Sequence, residues 1–249
     1  MNVTSLSMYA AFGVLAAGAL PVTAALRGLA PGDATHRRAG RSLRTLGRAI
    51  VRTTHAWRFA VEGAPPPDLA QRPCVVVANH ASLADPFLLS HLPFDQRFVA
   101  KEELFRVPLV GWLLRLAGDI PVRRGDHASA LAMERACVAT LARGLSVTIF
   151  PEGTRSRDGD LRTFHGGAFR IALAAGVRIL PVALHGTAEC IVAGHPSRAR
   201  AYAEILPPIE TAGRTADELR DQARRLIADA LSSARGTARG SRRSGSSPS

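Results

Sequence analysis

The sequence predicts an α/β fold: a single domain with a central mixed or mostly parallel sheet flanked by helices, preceded by an N-terminal membrane-associated helical segment. Three observations carry this expectation. Short β-branched runs, CVVVAN (74–79) and SVTIF (146–150), have the length and composition of strands buried on both faces. Between them the pattern turns helical: Leu131, Val138, Leu141 and Leu145 recur at spacings of seven, three and four, which predicts an amphipathic helix over 128–143 stopped by Gly144. Strands alternating with helices in this way make α/β architecture. Finally, the first 26 residues carry no charged side chain, and MYAAFGVLAAGALPVTAAL (8–26) has about the 20 apolar residues that a bilayer span needs.

In chain order, the apolar stretch is followed by Arg27, Arg37, Arg38, Arg41, Arg44 and Arg48. A signal peptide carries its basic residues before the apolar core, so the stretch reads as an anchor, and the excess of arginine places the chain beyond residue 27 on the cytoplasmic side. Pro21, Gly13 and Gly18 leave both a spanning helix and one lying in a single leaflet open. Residues 31–50 read as an arginine-studded juxtamembrane helix. EGAPPPDLAQRP (62–73) is a proline-rich turn region and marks a boundary. The resulting division is 1–61 for anchor and basic helix, 62–234 for the catalytic body, and 235–249 for a tail.

Within the body, strand 74–79 leads to Asp85 and Pro86, read as N-cap and first-turn proline of a helix reaching Leu92. RFVAK (97–101) is a strand, VPLVGWLLRLAG (107–118) an apolar helix ending at Gly118, and a short apolar strand precedes Arg123. After the 128–143 helix and the 146–150 strand come a glycine-stopped helix, GAFRIALAAG (167–176), and the strands VRILPVALHG (177–186) and AYAEILPPI (201–209). Thr215 and Glu218 form a capping box for a helix whose Leu219, Leu226, Ile227 and Ala230 share one face. From Arg235 onward only Gly, Ser, Arg, Ala, Thr and Pro occur, so the tail has nothing with which to build a core and is expected to be disordered.

The formal charge of +12 arises almost wholly from arginine, Lys101 being the single lysine, and favours anionic partners. With aromatics at only 5%, base stacking is poorly supplied and nucleic acid is not expected. Cys74, Cys137 and Cys190 lack metal-ligand spacing and read as reduced core thiols. No metal site is expected.

Chemistry concentrates in three stretches. In VVVANHASLADPFLL (75–89) a buried strand delivers His80 to its carboxyl end, where open α/β sheets place their sites, with Asp85 five residues on. A carboxylate on one imidazole nitrogen leaves the other as a general base. In IFPEGTRSRDG (149–159), Glu152, Gly153, Thr154 and Arg155 follow a strand, a composition suited to holding an anion. In GDIPVRRGD (118–126), Arg123 and Arg124 close a short strand.

The ordered blocks NHASLAD, KEELFRVPLVGWLLRLAGDIPVRR, FPEGTRS and TFHGGAFRIALAAGVRILPVAL resemble the glycerolipid acyltransferase family, the 1-acylglycerol-3-phosphate (lysophosphatidic acid) acyltransferases, over about residues 73–210. The resemblance implies that His80 deprotonates the acceptor hydroxyl and that Asp85 orients it. It implies that Glu152, Gly153, Thr154 and Arg155 bind glycerol phosphate with help from Arg124, and that the block around Pro181 serves the acyl side. The co-substrate would be acyl-CoA or acyl carrier protein, with no cofactor. The acceptor would be lysophosphatidic acid, giving phosphatidic acid. Arg123 departs from the family pattern, which has an acidic residue there, and leaves another lysolipid, such as a lyso-ornithine lipid, as an alternative acceptor. A non-catalytic basic protein binding membrane surfaces is the alternative from a different class. A hydrolase using Ser82 or Ser156 would need a GxSxG elbow, which neither serine has.

Overall fold

Four consecutive residues of strand β2 (Val75–Ala78) are completely buried, because the strand lies mid-sheet with a core on each face. Val76 and Ala78 enter one core, Val75 and Val77 the other, as the two-residue period of a strand requires. The computed structural model describes residues 3–29, 32–33, 35–156, 160–193 and 195–243. The remaining strands of the seven-stranded sheet are β1 (Trp57–Glu62), β3 (Gln96–Lys101), β4 (Ile120–Val122), β5 (Ser146–Ile149), β6 (Ile179–His185) and β9 (Ala199–Ile205). A separate pair, β7 (Ile191–Val192) and β8 (His195–Pro196), forms a small hairpin.

Sheet order is β1-β9-β6-β2-β5-β3-β4, and every neighbouring pair is parallel except β6 with β9. The sheet is therefore mixed, as expected. Helices α3 (Asp85–Leu89), α4 (Val110–Ala117), α5 (His127–Ala142), α6 (Gly167–Ala175) and α7 (Ala216–Arg243) connect or follow the strands, with α1 (Val3–Gly28) and α2 (Arg37–Thr54) before them. Gly118 and Gly176 end α4 and α6 in the left-handed conformation that suits glycine.

Two sequence expectations are corrected. The boundary at residue 61/62 falls inside β1, whose Trp57, Phe59 and Val61 pack into the core while the strand pairs with β9 along its whole length. The arginine-studded helix α2 also spends four of its six arginines on the rest of the protein. Arg44 is buried and ion-paired with Asp119, with its guanidinium stacked 3.9 Å from the Phe98 ring centroid, while Arg37 and Arg41 hold Asp95 and Arg48 donates to the Ser90 carbonyl. Its arginines fasten it to the body. The tail expected to be disordered from Arg235 begins as the last turns of α7, which ends at Arg243; arginine and alanine are good helix formers, and the capped start of α7 propagates. Residues 244–249 lie outside the described residues.

Helix α1 packs a narrow stripe, Phe12, Leu15, Ala16, Ala19 and Leu20, against Leu43, Leu46 and Ile50 of α2 and Leu113 of α4. Arg27 closes the arrangement by donating to the carbonyls of Arg115 and Leu116 at 2.8 and 3.0 Å. The outer side of α1 stays apolar and exposed at Leu6, Tyr9, Val14 and Val22, and Trp112 on α4 is exposed as well. Among the described residues one helical segment, Tyr9–Gly28, is long and apolar enough to cross a membrane.

The seam between α2 and the sheet is filled by Arg97, which reaches past Gly40 to donate to the carbonyls of Thr35 and His36, both at 2.8 Å. A Cβ at Gly40 would lie 1.9 Å from Arg97 Nη1. Gly40→Ala is therefore expected to lower stability by about 1–3 kcal/mol, as overpacking does. Chemical denaturation would read this as a lower midpoint at unchanged slope, and an unchanged midpoint would contradict the packing.

Candidate active site

Strands β2 and β5 are parallel neighbours in a register that pairs Val77 with Ile149. His80 and Glu152, each three residues beyond that pair, leave the sheet side by side at its carboxyl edge. Asn79 holds the end of β2 in place by donating to the Leu184 carbonyl at 3.0 Å and accepting from the Leu184 N–H at 2.7 Å on β6.

The peptide of His80 is gripped from both sides. Its N–H donates to Glu152 Oε1 at 2.7 Å, and its carbonyl accepts from the Ser156 N–H at 2.8 Å. The imidazole stacks on Phe150, with centroids 4.1 Å apart and planes 19° apart. Asp85 is fully buried, and its Oδ2 meets His80 Nδ1 at 2.6 Å while accepting from the N–H groups of Ala81 at 2.8 Å and Ser82 at 2.9 Å. The N-cap role expected for Asp85 is thus corrected: the cap position of α3 is Ala84, and the carboxylate reaches backward to tie its own turn around the ring. An oxygen that already accepts two N–H bonds must also accept from Nδ1, which fixes the tautomer and leaves Nε2 free to take a proton. Nε2 has no partner among the described residues, and Ser82 Oγ is occupied with the Ala84 N–H at 3.2 Å.

Glu152 is 3% exposed, and both its oxygens are used by the chain: Oε1 by His80 and Oε2 by the Arg162 N–H at 3.1 Å. Burial pushes its carboxyl above the usual range, opposed by those two N–H donors. Its carboxylate is turned toward the chain's own backbone. Gly153 turns the chain at φ +67°, with its N–H on the Phe150 carbonyl at 3.1 Å. Thr154 and Arg155 then stand exposed beside His80, and Arg155 has no ion-pair partner among the described residues. Arg124 is exposed at the end of β4, separated from β5 by β3, so about 10 Å of sheet lies between it and the Glu152 turn. Arg123 is engaged within the chain, bonding both oxygens of Glu102 at 2.6 and 3.0 Å and Asp126 at 3.3 Å. Pro181 lies within β6 opposite Val77, inside the sheet.

Sequence reasoning did not single out Phe150, Asn79 or the Arg162 N–H. Phe150 ends the SVTIF strand and could have been suspected from its position just before the Glu152 turn; a backbone donor leaves no signal. Among the described residues no cluster of three or more His, Cys, Asp or Glu could hold a metal ion.

The chain is similar to known proteins. The Acyltransferase family model matches residues 58–185. A 1-acyl-sn-glycerol-3-phosphate acyltransferase of Chlamydomonas reinhardtii is 38% identical over 176 residues, covering 68% of this chain and 51% of the relative. A lyso-ornithine lipid O-acyltransferase of Pseudomonas aeruginosa is 34% identical over 179 residues, covering 65% of this chain and 69% of the relative. The crystal structure of the 1-acyl-sn-glycerophosphate (LPA) acyltransferase PlsC of Thermotoga maritima superposes with a TM-score of 0.76 at 25% identity, covering 94% of this chain and 97% of that one. The chain spans about half the length of the plant and algal relatives it matches. A histidine–aspartate pair at the carboxyl edge of this sheet, followed one strand over by the Glu152–Arg155 turn, on a chain half of which fits the family model, makes this protein a member of the Acyltransferase family.

Proposed function

We propose that the protein transfers a fatty acyl chain from an acyl-CoA or acyl carrier protein thioester to the 2-hydroxyl of 1-acyl-sn-glycerol-3-phosphate, giving phosphatidic acid at the membrane. The single observation that carries this reading is the 2.6 Å bond between Asp85 and His80 Nδ1, which leaves Nε2 as the base. Nε2 removes the hydroxyl proton as the oxygen attacks the thioester carbonyl. The C–O bond forms, the carbonyl becomes an oxyanion, and the intermediate collapses with cleavage of C–S. The imidazolium, stabilised by Asp85, returns its proton to the departing thiolate. Thiolates leave readily, so the step needs neither metal nor cofactor.

Arg155, Thr154 and, across the sheet edge, Arg124 present the exposed donors for the acceptor's phosphate, and Gly153 makes the turn that exposes them. The exposed apolar residues of α1, on a helix long and apolar enough to cross a membrane, support membrane association. The arginines after the stretch support a body on the cytoplasmic face. The net positive charge suits either anionic lipid or an acidic carrier protein as partner.

A lyso-ornithine lipid acceptor is the second reading, favoured by the relative of that name, of which this chain covers a larger share than of the algal one. The test is acyl transfer by detergent-solubilised protein from oleoyl-CoA, with lysophosphatidic acid and lyso-ornithine lipid offered in parallel. Phosphatidic acid as the product is expected. Product from the other acceptor alone would move the assignment to that lipid, and product from neither would overturn the reading.

A further inference from the structure

The motif TFHGGAF contains an imidazole that the mechanism above does not use. Phe164 is buried in the core, the His165 N–H donates to the Pro151 carbonyl at 2.8 Å, and α6 starts two residues later, so His165 is pinned by its backbone while its side chain stays exposed. Its ring lies directly against Gly153. A Cβ on that glycine would sit 3.1 Å from His165 Cδ2 and 3.3 Å from Nε2. Neither ring nitrogen has a partner among the described residues. The imidazole therefore shares one turn with Thr154 and Arg155. The first turn of α6 beside it has no side-chain cap, and the Arg170 guanidinium lies next to Gly166 while bonded to Glu134.

We propose that His165 is a substrate-binding residue, donating a hydrogen bond from its ring to a phosphoryl oxygen of the acceptor beside Arg155. The proposal deepens the lysophosphatidic acid reading and rests on it. An imidazole held against a glycine, beside a guanidinium with no ion pair among the described residues, is a hydrogen-bond donor with no acceptor among them. A phosphate monoester offers several acceptor oxygens and can meet the ring and Arg155 at once. The phosphates of coenzyme A offer the same chemistry, and the experiment separates the two sources.

Steady-state kinetics of His165→Ala, His165→Gln and His165→Lys are expected to show the KM for lysophosphatidic acid raised about 10-fold or more in the alanine variant, as loss of a charge-assisted hydrogen bond predicts. The KM for oleoyl-CoA and kcat should stay within about two-fold. Lysine, whose donor is charged, should restore the acceptor KM further than glutamine, whose amide donor is neutral. An unmoved acceptor KM, or a raised KM for oleoyl-CoA in its place, overturns the proposal. Titration with glycerol 3-phosphate, followed by the imidazole NMR signals that vanish in His165→Ala, reads binding without turnover. A shift in those signals is expected in both wild type and His80→Ala, even if no lysolipid is acylated, and its absence overturns the proposal whatever the activity assay shows.

Discussion

Acyl transfer by the His80→Ala protein is expected to fall about 10²–10⁴-fold, the range that a positioned general base contributes, with the KM values for both substrates changed little. The imidazole stands at the carboxyl edge of β2 with one nitrogen held by Asp85 and the other without a partner among the described residues. Its removal costs the stacking on Phe150 and one bond to Asp85, but the two bonds that hold the peptide of residue 80 are made by its backbone and remain. Asp85→Asn should lose less. An amide oxygen can still accept from Ala81, Ser82 and the ring, so the turn survives, but the charge that stabilises the imidazolium is gone. Initial rates with oleoyl-CoA, alongside circular dichroism as a check on folding, measure both. A folded His80→Ala protein that kept a tenth of wild-type turnover would remove His80 from the reaction.

How much of this is legible in the sequence depends on how local each feature is. The strands β2, β5 and β6 and the helices α5, α6 and α7 are readable because local composition, period and stop signals decide them. The Thr215–Glu218 capping box is made as the motif predicts, with the Glu218 carboxylate on the Thr215 N–H at 2.8 Å. Strand β1 escapes such a reading because WRFAVE is held by β9, about 140 residues away in the chain, and a six-residue alternation with Arg58 and Glu62 on its outward side announces little by itself. The arginines of α2 mislead for a related reason. A charge run looks the same whether it faces lipid headgroups or the Asp95 and Asp119 carboxylates, and only tertiary contact tells the two apart. At the site, residue types and order are enough to bring His80 and Asp85 together, because five residues of chain confine them. They are not enough to say which way Glu152 points, since that depends on where the Arg162 backbone returns.

Glu152 therefore separates what a motif suggests from what its geometry does, and its substitution is the second change with a large expected effect. If the carboxylate touched substrate, Glu152→Gln would raise the acceptor KM and leave stability alone. In the observed arrangement the side chain faces two backbone donors, the N–H groups of His80 and Arg162. A carboxamide can serve one of them, and then points its own NH₂ at the other. The expected result is a destabilisation of about 1–3 kcal/mol for Glu152→Gln and a larger one for Glu152→Ala, which leaves both buried N–H groups without acceptors. Because one of those groups belongs to the base itself, kcat should drop by more than 10-fold even in protein that remains folded, as a displacement of about 1 Å in a reacting group can cause. Denaturant midpoints measured with kcat and KM on the same preparations decide between the two accounts. Lost stability with a lowered kcat and an unchanged acceptor KM makes Glu152 the residue that holds the base in place. A raised KM at wild-type stability would return it to the substrate.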